Sequence, residues 1–283
     1  MKIHELKRVI RRVNDLPTLP RIVFKITELV NNPRSSASDL SRIITEDQIL
    51  TARLLRLVNS ACYGFPRKIS TVTDAVVLLG FDAIRNLLLT TSIFDLFSYK
   101  SKMISFDCEQ LWDHSLGCAV GAKAIGRHLK HEKLEELFVS GLLHDIGKIV
   151  EMHFLPEQFD RIILQADENN KVLFFAEQEI LGYTHVDIGK LLSDRWNLPS
   201  IIAHVILYHH SPGEAKGYVK EAAIVHFADI LCRALDIGSG GDNKIPMIDG
   251  TAWKSINLRL SDIEPIMIEM EEEFSAIKFS IYD

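Results

Sequence analysis

Apolar residues recur at three- and four-residue intervals along almost the whole of this 283-residue chain, and strand-like alternation is scarce. That period gathers apolar side chains on one face of successive helices, so the chain is predicted to be all-α. Ile22, Ile26, Leu29 and Val30 form one stripe, broken by Asn31-Asn32-Pro33. Ser38 or Asp39 is placed to cap a short helix through Ile44, and another begins near Asp47 with Leu50, Leu54, Leu57 and Val58 inward. It stops near Tyr63-Gly64-Phe65-Pro66. Thr71 or Thr73 caps the next, Ala75 to Leu79, and Gly80 closes it. Phe81 to Phe97 is apolar on nearly every face and must be buried.

The pattern lapses between Tyr99 and Asp107, where Ser98, Lys100, Ser101, Lys102 and Ser105 cluster. This divides the chain into an N-terminal helical lobe, residues 1–104, and a second helical lobe, residues 105–283. Long helices are expected in the latter at about Cys108–Leu129, Lys133–Glu151, Pro156–Ala166, Val172–Leu181, Val186–Trp196, Pro199–Tyr208 and Lys220–Leu235. Asp236–Trp253, rich in Gly and Asp, reads as a loop, and a final helix runs from Ser261 through Phe274.

Composition excludes several classes. With 47% hydrophobic and 25% charged residues the chain can bury a core. No apolar run approaches the roughly 18–20 residues that span a bilayer, and the basic start lacks an apolar stretch after it, so neither a membrane span nor a secretory signal is expected. Cys62, Cys108, Cys118 and Cys232 are far apart with no C-x-x-C pair, which argues against a disulfide framework or a cysteine zinc site. Reduced core thiols and a cytoplasmic setting follow. Residues 1–100 carry 15 Lys+Arg against 9 Asp+Glu, net +6, and residues 101–283 carry 17 against 29, net −12. A basic front half suits an acidic partner, nucleic acid or the acidic half of the same chain. Ser38–Ser60 read as a DNA-binding helix-turn-helix offers only Arg53 and Arg56 amid Leu and Val, so DNA recognition is not expected.

The chemistry concentrates in the second lobe. His144-Asp145 sits in the run Gly141-Leu142-Leu143-His144-Asp145-Ile146-Gly147-Lys148, with His114 upstream and His185, His209-His210 and Asp229 downstream. Each falls in a predicted amphipathic helix. Their segments resemble the H…HD…D signature of the HD superfamily of metal-dependent phosphohydrolases. Leu16-Pro17-Thr18-Leu19-Pro20, the run Thr51 to Ser60 with Tyr63-Gly64, and Ala75 to Gly80 resemble the HDOD family, the HD-related output domain of bacterial signalling proteins. The similarity covers about residues 15–235 and implies an HDOD-type front lobe packed on an HD-type helical lobe.

Imidazole and carboxylate suit a divalent transition metal, and helices can fix their geometry. One ion could be held by His114, His144, Asp145 and Asp229. A second could share Asp145 as a bridge and take His185, His209 and His210. The seven-residue set resembles the dinuclear site of the HD-GYP relatives, which hydrolyse cyclic di-GMP. Two ions of the iron, manganese or zinc type, about 3.5–4 Å apart, would acidify a bridging water and clamp a phosphoryl group. Asp145 and Lys148 are then the catalytic candidates, Lys148 offering its ammonium to a phosphate oxygen. Plainer roles stand beside these. His114 can be a core histidine, His209-His210 can favour a helix C-terminus, Lys148 can snorkel, and Asp229 can bond His226, itself a reserve ligand.

Three positions depart from the catalytic pattern. Gln110 stands where some relatives place a glutamate, Ser211 follows the paired histidines in place of one, and Gly217-Tyr218-Val219 lacks the proline of GYP. The resemblance therefore implies a signal-transduction module that retains a dinuclear metal site and acts on a signalling protein partner or a ligand. The alternative is a metal-dependent phosphohydrolase acting on a nucleotide or cyclic dinucleotide.

Overall fold

The computed structural model describes residues 34–59, 63, 65–88 and 106–282, with residues 25, 26, 29 and 32. Among these every regular element is helical. Leu16–Pro20, Ser60, Gly64 and the segment from residue 89 to Phe97 lie outside the described residues, as does the expected lobe boundary at 104.

Local capping sets the front helices. Ser36 caps α1 (Ala37–Thr45): its hydroxyl accepts from the Asp39 N–H while the Asp39 carboxylate accepts from the Ser36 N–H. Such a reciprocal cap stabilises by about 1 kcal/mol. Ser38 and Asp39 thus lie inside the first turn, because the reciprocal bond needs the acidic residue three positions after the cap. Asp47 caps α2 (Gln48–Val58) and Thr71 caps α3 (Val72–Leu79), each side chain accepting a backbone N–H three residues on. Gly80 ends α3 at φ 84°, a conformation that L side chains rarely adopt. Residues 81–88 continue as helix with Ile84, Leu87 and Leu88 buried.

The second part is built around α4 (Cys108–His128), capped by Asp107 and buried continuously from Leu111 to Gly126. It packs against α5 (Leu134–Leu143), α11 (Val219–Ala234) and α13 (Ile263–Tyr282). A helix covered on all sides has to be apolar all round or carry polar groups that answer one another. Here α4 and α11 bury His114 and Asp229 facing each other. One hydrophobic core joins Leu54 and Ile84 of the front to Leu116, Phe138, Leu142 and Ile277. A polar clasp supports the junction: the Tyr63 hydroxyl donates to Glu135 Oε2 at 2.6 Å, and Lys123 Nζ lies 3.9 Å from the centre of the Tyr63 ring.

The single helix expected over Lys133–Glu151 is broken. α5 ends at Leu143 and α6 (Ile146–Phe154) begins after His144-Asp145, so the dipeptide forms the corner between them. Two glycines make room for the corner. A Cβ on Gly141 would lie 2.6 Å from the Cys118 carbonyl oxygen, and one on Gly147 would overlap the His185 carbonyl oxygen. Hence α5 rests backbone-to-backbone on α4, and α6 on the start of α9 (His185–Arg195). Then α7 (Pro156–Glu168) and α8 (Leu173–Ile180) pair on the outside, and α10 (Ser200–Tyr208) lies between α9, α5 and α11. The expected loop after residue 235 is irregular to Asp249 and then forms α12 (Gly250–Ile256). No helix among the described residues is long and apolar enough to cross a membrane.

Candidate metal centre

The corner between α5 and α6 places Asp145 at the middle of a ring of imidazoles. Asp145 Oδ2 lies 3.3 Å from His144 Nε2 and 3.6 Å from His114 Nε2, and Oδ1 lies 3.2 Å from His185 Nε2 and 3.7 Å from His209 Nε2. His114 Nε2 is also 3.1 Å from Asp229 Oδ1, and His210 Nε2 is 3.1 Å from His185 Nε2. All seven residues singled out in the sequence therefore converge. His114, His144, His185 and His209 are 0% exposed and Asp145 and Asp229 1%, while His210 is only partly buried at the rim. The donors come from the interior of two helices (His114, Asp229), a corner (His144, Asp145), a helix start (His185) and a helix end (His209, His210).

The far nitrogen of three of these rings is already engaged. Nδ1 of His144 donates to Gly141 O at 2.6 Å, Nδ1 of His209 to Ile206 O at 2.9 Å, and Nδ1 of His185 to Glu177 Oε2 at 2.7 Å. In the neutral tautomer each then directs its Nε2 lone pair toward Asp145. His144 Nε2, His209 Nε2 and Asp145 Oδ1 are buried without a hydrogen-bond partner. Each such orphan costs about 1–3 kcal/mol. Metal cations held in the two donor groups around them, His114, Cys118, His144 and Asp229 on one side and Asp145, His185, His209 and His210 on the other, would satisfy these atoms, so the residues fit a metal.

Electrostatics divides the set. Burial alone would raise the Asp145 carboxyl, but His144 and Lys148 hold it well below the usual carboxylate range. Burial is likewise outweighed at Asp229 by Arg233, whose Nε donates to Asp229 Oδ1 at 2.7 Å, and by His114. Burial and then the neighbouring imidazoles keep His209 and His210 well below the ordinary histidine range, so both are neutral and ready to ligate. His114 goes the other way: against its burial, Cys232 and Asp229 raise it to about 9. Without a metal, burial and then the neighbouring Cys232 and carboxylates keep the Cys118 thiol protonated well above its normal range, so only a cation's charge would make it a thiolate.

A ligand that holds a proton when metal-free gives up its metal sooner on acidification. Against their burial, Cys232 and Asp229 raise His114, and Glu177 and Asp145 raise His185, so both ends of the cluster carry an imidazole that competes for protons. Zinc-loaded protein taken stepwise from about pH 8 to about pH 5 is therefore expected to release its metal. Metal analysis after dialysis at each pH reads this, and full retention at about pH 5 would contradict it.

Lys148 is not free to greet a ligand. Its Nζ donates to Asp145 Oδ2 at 2.6 Å and to Gly240 O at 2.8 Å, and the residue is 1% exposed. Gly240 belongs to a strap, residues 238–242, laid over the centre. Ser239 N donates to Gln110 O, and Asp242 accepts from Arg233 and from Leu173 N. A Cβ on Gly240 would come 3.2 Å from His114 Nε2. The Gln110 side chain is exposed and stays outside the cluster. His226, the reserve ligand, donates Nδ1–H to His209 O at 2.7 Å and accepts from Asp249 N at 3.0 Å, so both its nitrogens are occupied by backbone.

Four residues that the sequence pattern does not single out support the cluster. Glu177 holds His185 from behind, Arg233 holds Asp229, and Cys118 and Cys232 flank His114 at 3.7 Å and 3.6 Å. A local signal existed for three of them. Cys118 follows His114 by four residues, and Cys232 and Arg233 follow Asp229 by three and four, which is same-face helical spacing. Nothing local pointed to Glu177.

The HDOD domain model matches residues 16–212, well over half of the chain. The chain belongs to the HDOD family. A crystal structure of an HDOD domain protein of unknown function from Geobacter sulfurreducens aligns over 99% of this chain and 97% of its own, with TM-score 0.80 and 30% identity. A protein from Shewanella amazonensis described as a candidate phosphohydrolase aligns over 96% and 97%, with TM-score 0.73 and 26% identity. An uncharacterized protein of Treponema pallidum (strain Nichols) is 27% identical over 227 residues, 80% of this chain but 44% of its own length. This HDOD chain thus spans less than half of that relative. Asp229, Arg233 and the strap lie beyond the stretch that the domain model matches.

Proposed function

We infer that this HDOD protein is a signal-transduction module whose helical lobe is held together by a dinuclear metal centre and whose output passes through contact with a signalling protein. The observation that carries this reading is the enclosure of the donors. His114, His144, Asp145, His185, His209 and Lys148 are each at most 1% exposed. A hydrolytic centre keeps a coordination position open for water and substrate. Here the strap covers the centre and Gly240 O and Asp145 already take the Lys148 ammonium. In this reading His114, His144, Asp145 and Asp229 hold one ion, and Asp145, His185, His209 and His210 the other. The ions supply charge that the buried lone pairs otherwise lack.

The second reading, a phosphohydrolase acting on a nucleotide or cyclic dinucleotide, is favoured by Lys148 beside the bridging carboxylate and by the Shewanella relative. In it, Asp145 orients the reacting water and Lys148 leaves Gly240 to bind a phosphoryl oxygen. The two part cleanly in one experiment. Protein loaded with zinc, manganese or ferrous iron is incubated with bis-p-nitrophenyl phosphate and with cyclic di-GMP. The signalling reading expects metal to be retained and neither compound to turn over. Turnover that disappears in both His144→Ala and Lys148→Ala would establish the enzyme instead.

A further inference from the structure

Cys118 and Cys232 lie beside each other and face the two different nitrogens of one imidazole. Cys118 Sγ lies 3.7 Å from His114 Nε2, whereas Cys232 Sγ lies 3.6 Å from His114 Nδ1. It is Nε2 that faces Asp229 and Asp145. Cys232 sits where its thiol can donate to the carbonyl oxygens of His114 and Ile237, at 3.5 and 3.4 Å, while its sulfur faces the far nitrogen of the ring. Cys118 instead groups with His114, His144 and Asp229, whose donor atoms and its own sulfur all lie within 4.8 Å of one another. His144 Nε2, fully buried and unpartnered, belongs to the same group.

The spacing suits coordination. With bonds of about 2.0–2.3 Å, neighbouring ligand atoms of a five-coordinate ion lie about 2.8–4.0 Å apart. His114 Nε2 is 3.1 Å from Asp229 Oδ1 and 3.7 Å from Cys118 Sγ, both within that range. A thiol–imidazole hydrogen bond alone would leave His144 Nε2 unanswered, and a shared ion answers both. We propose that Cys118 is a thiolate ligand to the ion that His114, His144 and Asp229 hold together with Asp145, with Cys232 a positioning residue that orients His114 from behind. This rests on the metal-centre reading above.

The centre then has two unlike halves. The half with sulfur selects zinc, ferrous or cobaltous ions over manganese and magnesium, because thiolate is a soft donor. The half built by Asp145, His185, His209 and His210 has only imidazole and carboxylate. Cys232 does for His114 what Glu177 does for His185, fixing the ring so that its outer nitrogen meets the ion.

Cobalt tests this without recourse to activity. Metal-free protein, kept anaerobic with a non-thiol reductant, is titrated with Co(II) while absorbance and bound cobalt are recorded. The expected result is a near-ultraviolet sulfur-to-cobalt charge-transfer band in the wild type, present in Cys232→Ser and lost in Cys118→Ser. Cys118→Ser should also bind zinc more weakly by at least the 10–100-fold that losing an outer-shell partner costs, with manganese binding much less affected. Bound cobalt without the charge-transfer band overturns thiolate ligation and leaves the metal centre standing. No bound cobalt overturns both. A band that survives Cys118→Ser but not Cys232→Ser makes Cys232 the ligand and overturns the assignment. Should Cys118→Ser fail to fold, Cys232→Ser decides alone, since a folded, cobalt-loaded Cys232→Ser protein without the band rejects the proposal.

Discussion

Asp145→Asn is expected to empty both halves of the centre at once and to destabilise the metal-free protein by about 3–5 kcal/mol, the usual effect of removing one partner from a buried ion pair. Asp145 faces His114, His144, His185 and His209 within 3.7 Å and takes a 2.6 Å hydrogen bond from Lys148. Asparagine preserves the shape but removes the charge, so the Lys148 ammonium is left buried with only neutral acceptors, Gly240 O at 2.8 Å among them. The two effects separate in a double variant. Adding Lys148→Met should recover much of the lost stability, because the stranded charge goes with it, and should not recover metal. Denaturant unfolding and metal analysis on the same preparations check this. Two ions retained by Asp145→Asn would show that the carboxylate is no bridge.

Gly147→Ala is expected to cost about 3 kcal/mol and to release the ion of the His185 side while sparing the other. The added Cβ would overlap the His185 carbonyl oxygen, and backbone cannot rotate aside as a side chain can. α9 must therefore back away from α6, carrying His185 from its place 3.2 Å from Asp145 Oδ1. His114 and Asp229 sit on α4 and α11, which this step does not touch. Gly250→Ala is the control: a Cβ there meets open space at the start of α12. Thermal unfolding with zinc stoichiometry reads the pair. An unchanged melting temperature with two ions in Gly147→Ala would contradict the close approach.

Much of this could be read along the chain because helices and their caps are local. A side chain at Asp47 or Thr71 reaches an N–H three residues on, so residue type and period suffice to place them. The seven candidate ligands were legible for a different reason, since His114, His144-Asp145 and Asp229 follow the order of a known signature and the whole set resembles the site of HD-GYP relatives; the fold brings all seven together, with His210 at the rim. Packing decided the rest. Period alone ran α5 and α6 together, because the corner at His144-Asp145 exists only where Gly141 and Gly147 let backbones of α4 and α9 approach. It left Cys118 and Cys232 as unrelated core thiols, for each helix signals which face is buried but not what that face meets. Cys118 meets His114 within α4, but only the contact of α4 with α11 brings Cys232 to the same ring, and only the strap over Lys148 shows that its ammonium is already taken. A sequence dictates faces and turns through nearest neighbours, whereas a metal centre is made of distances between residues far apart in the chain, and those are set when the helices close on one another.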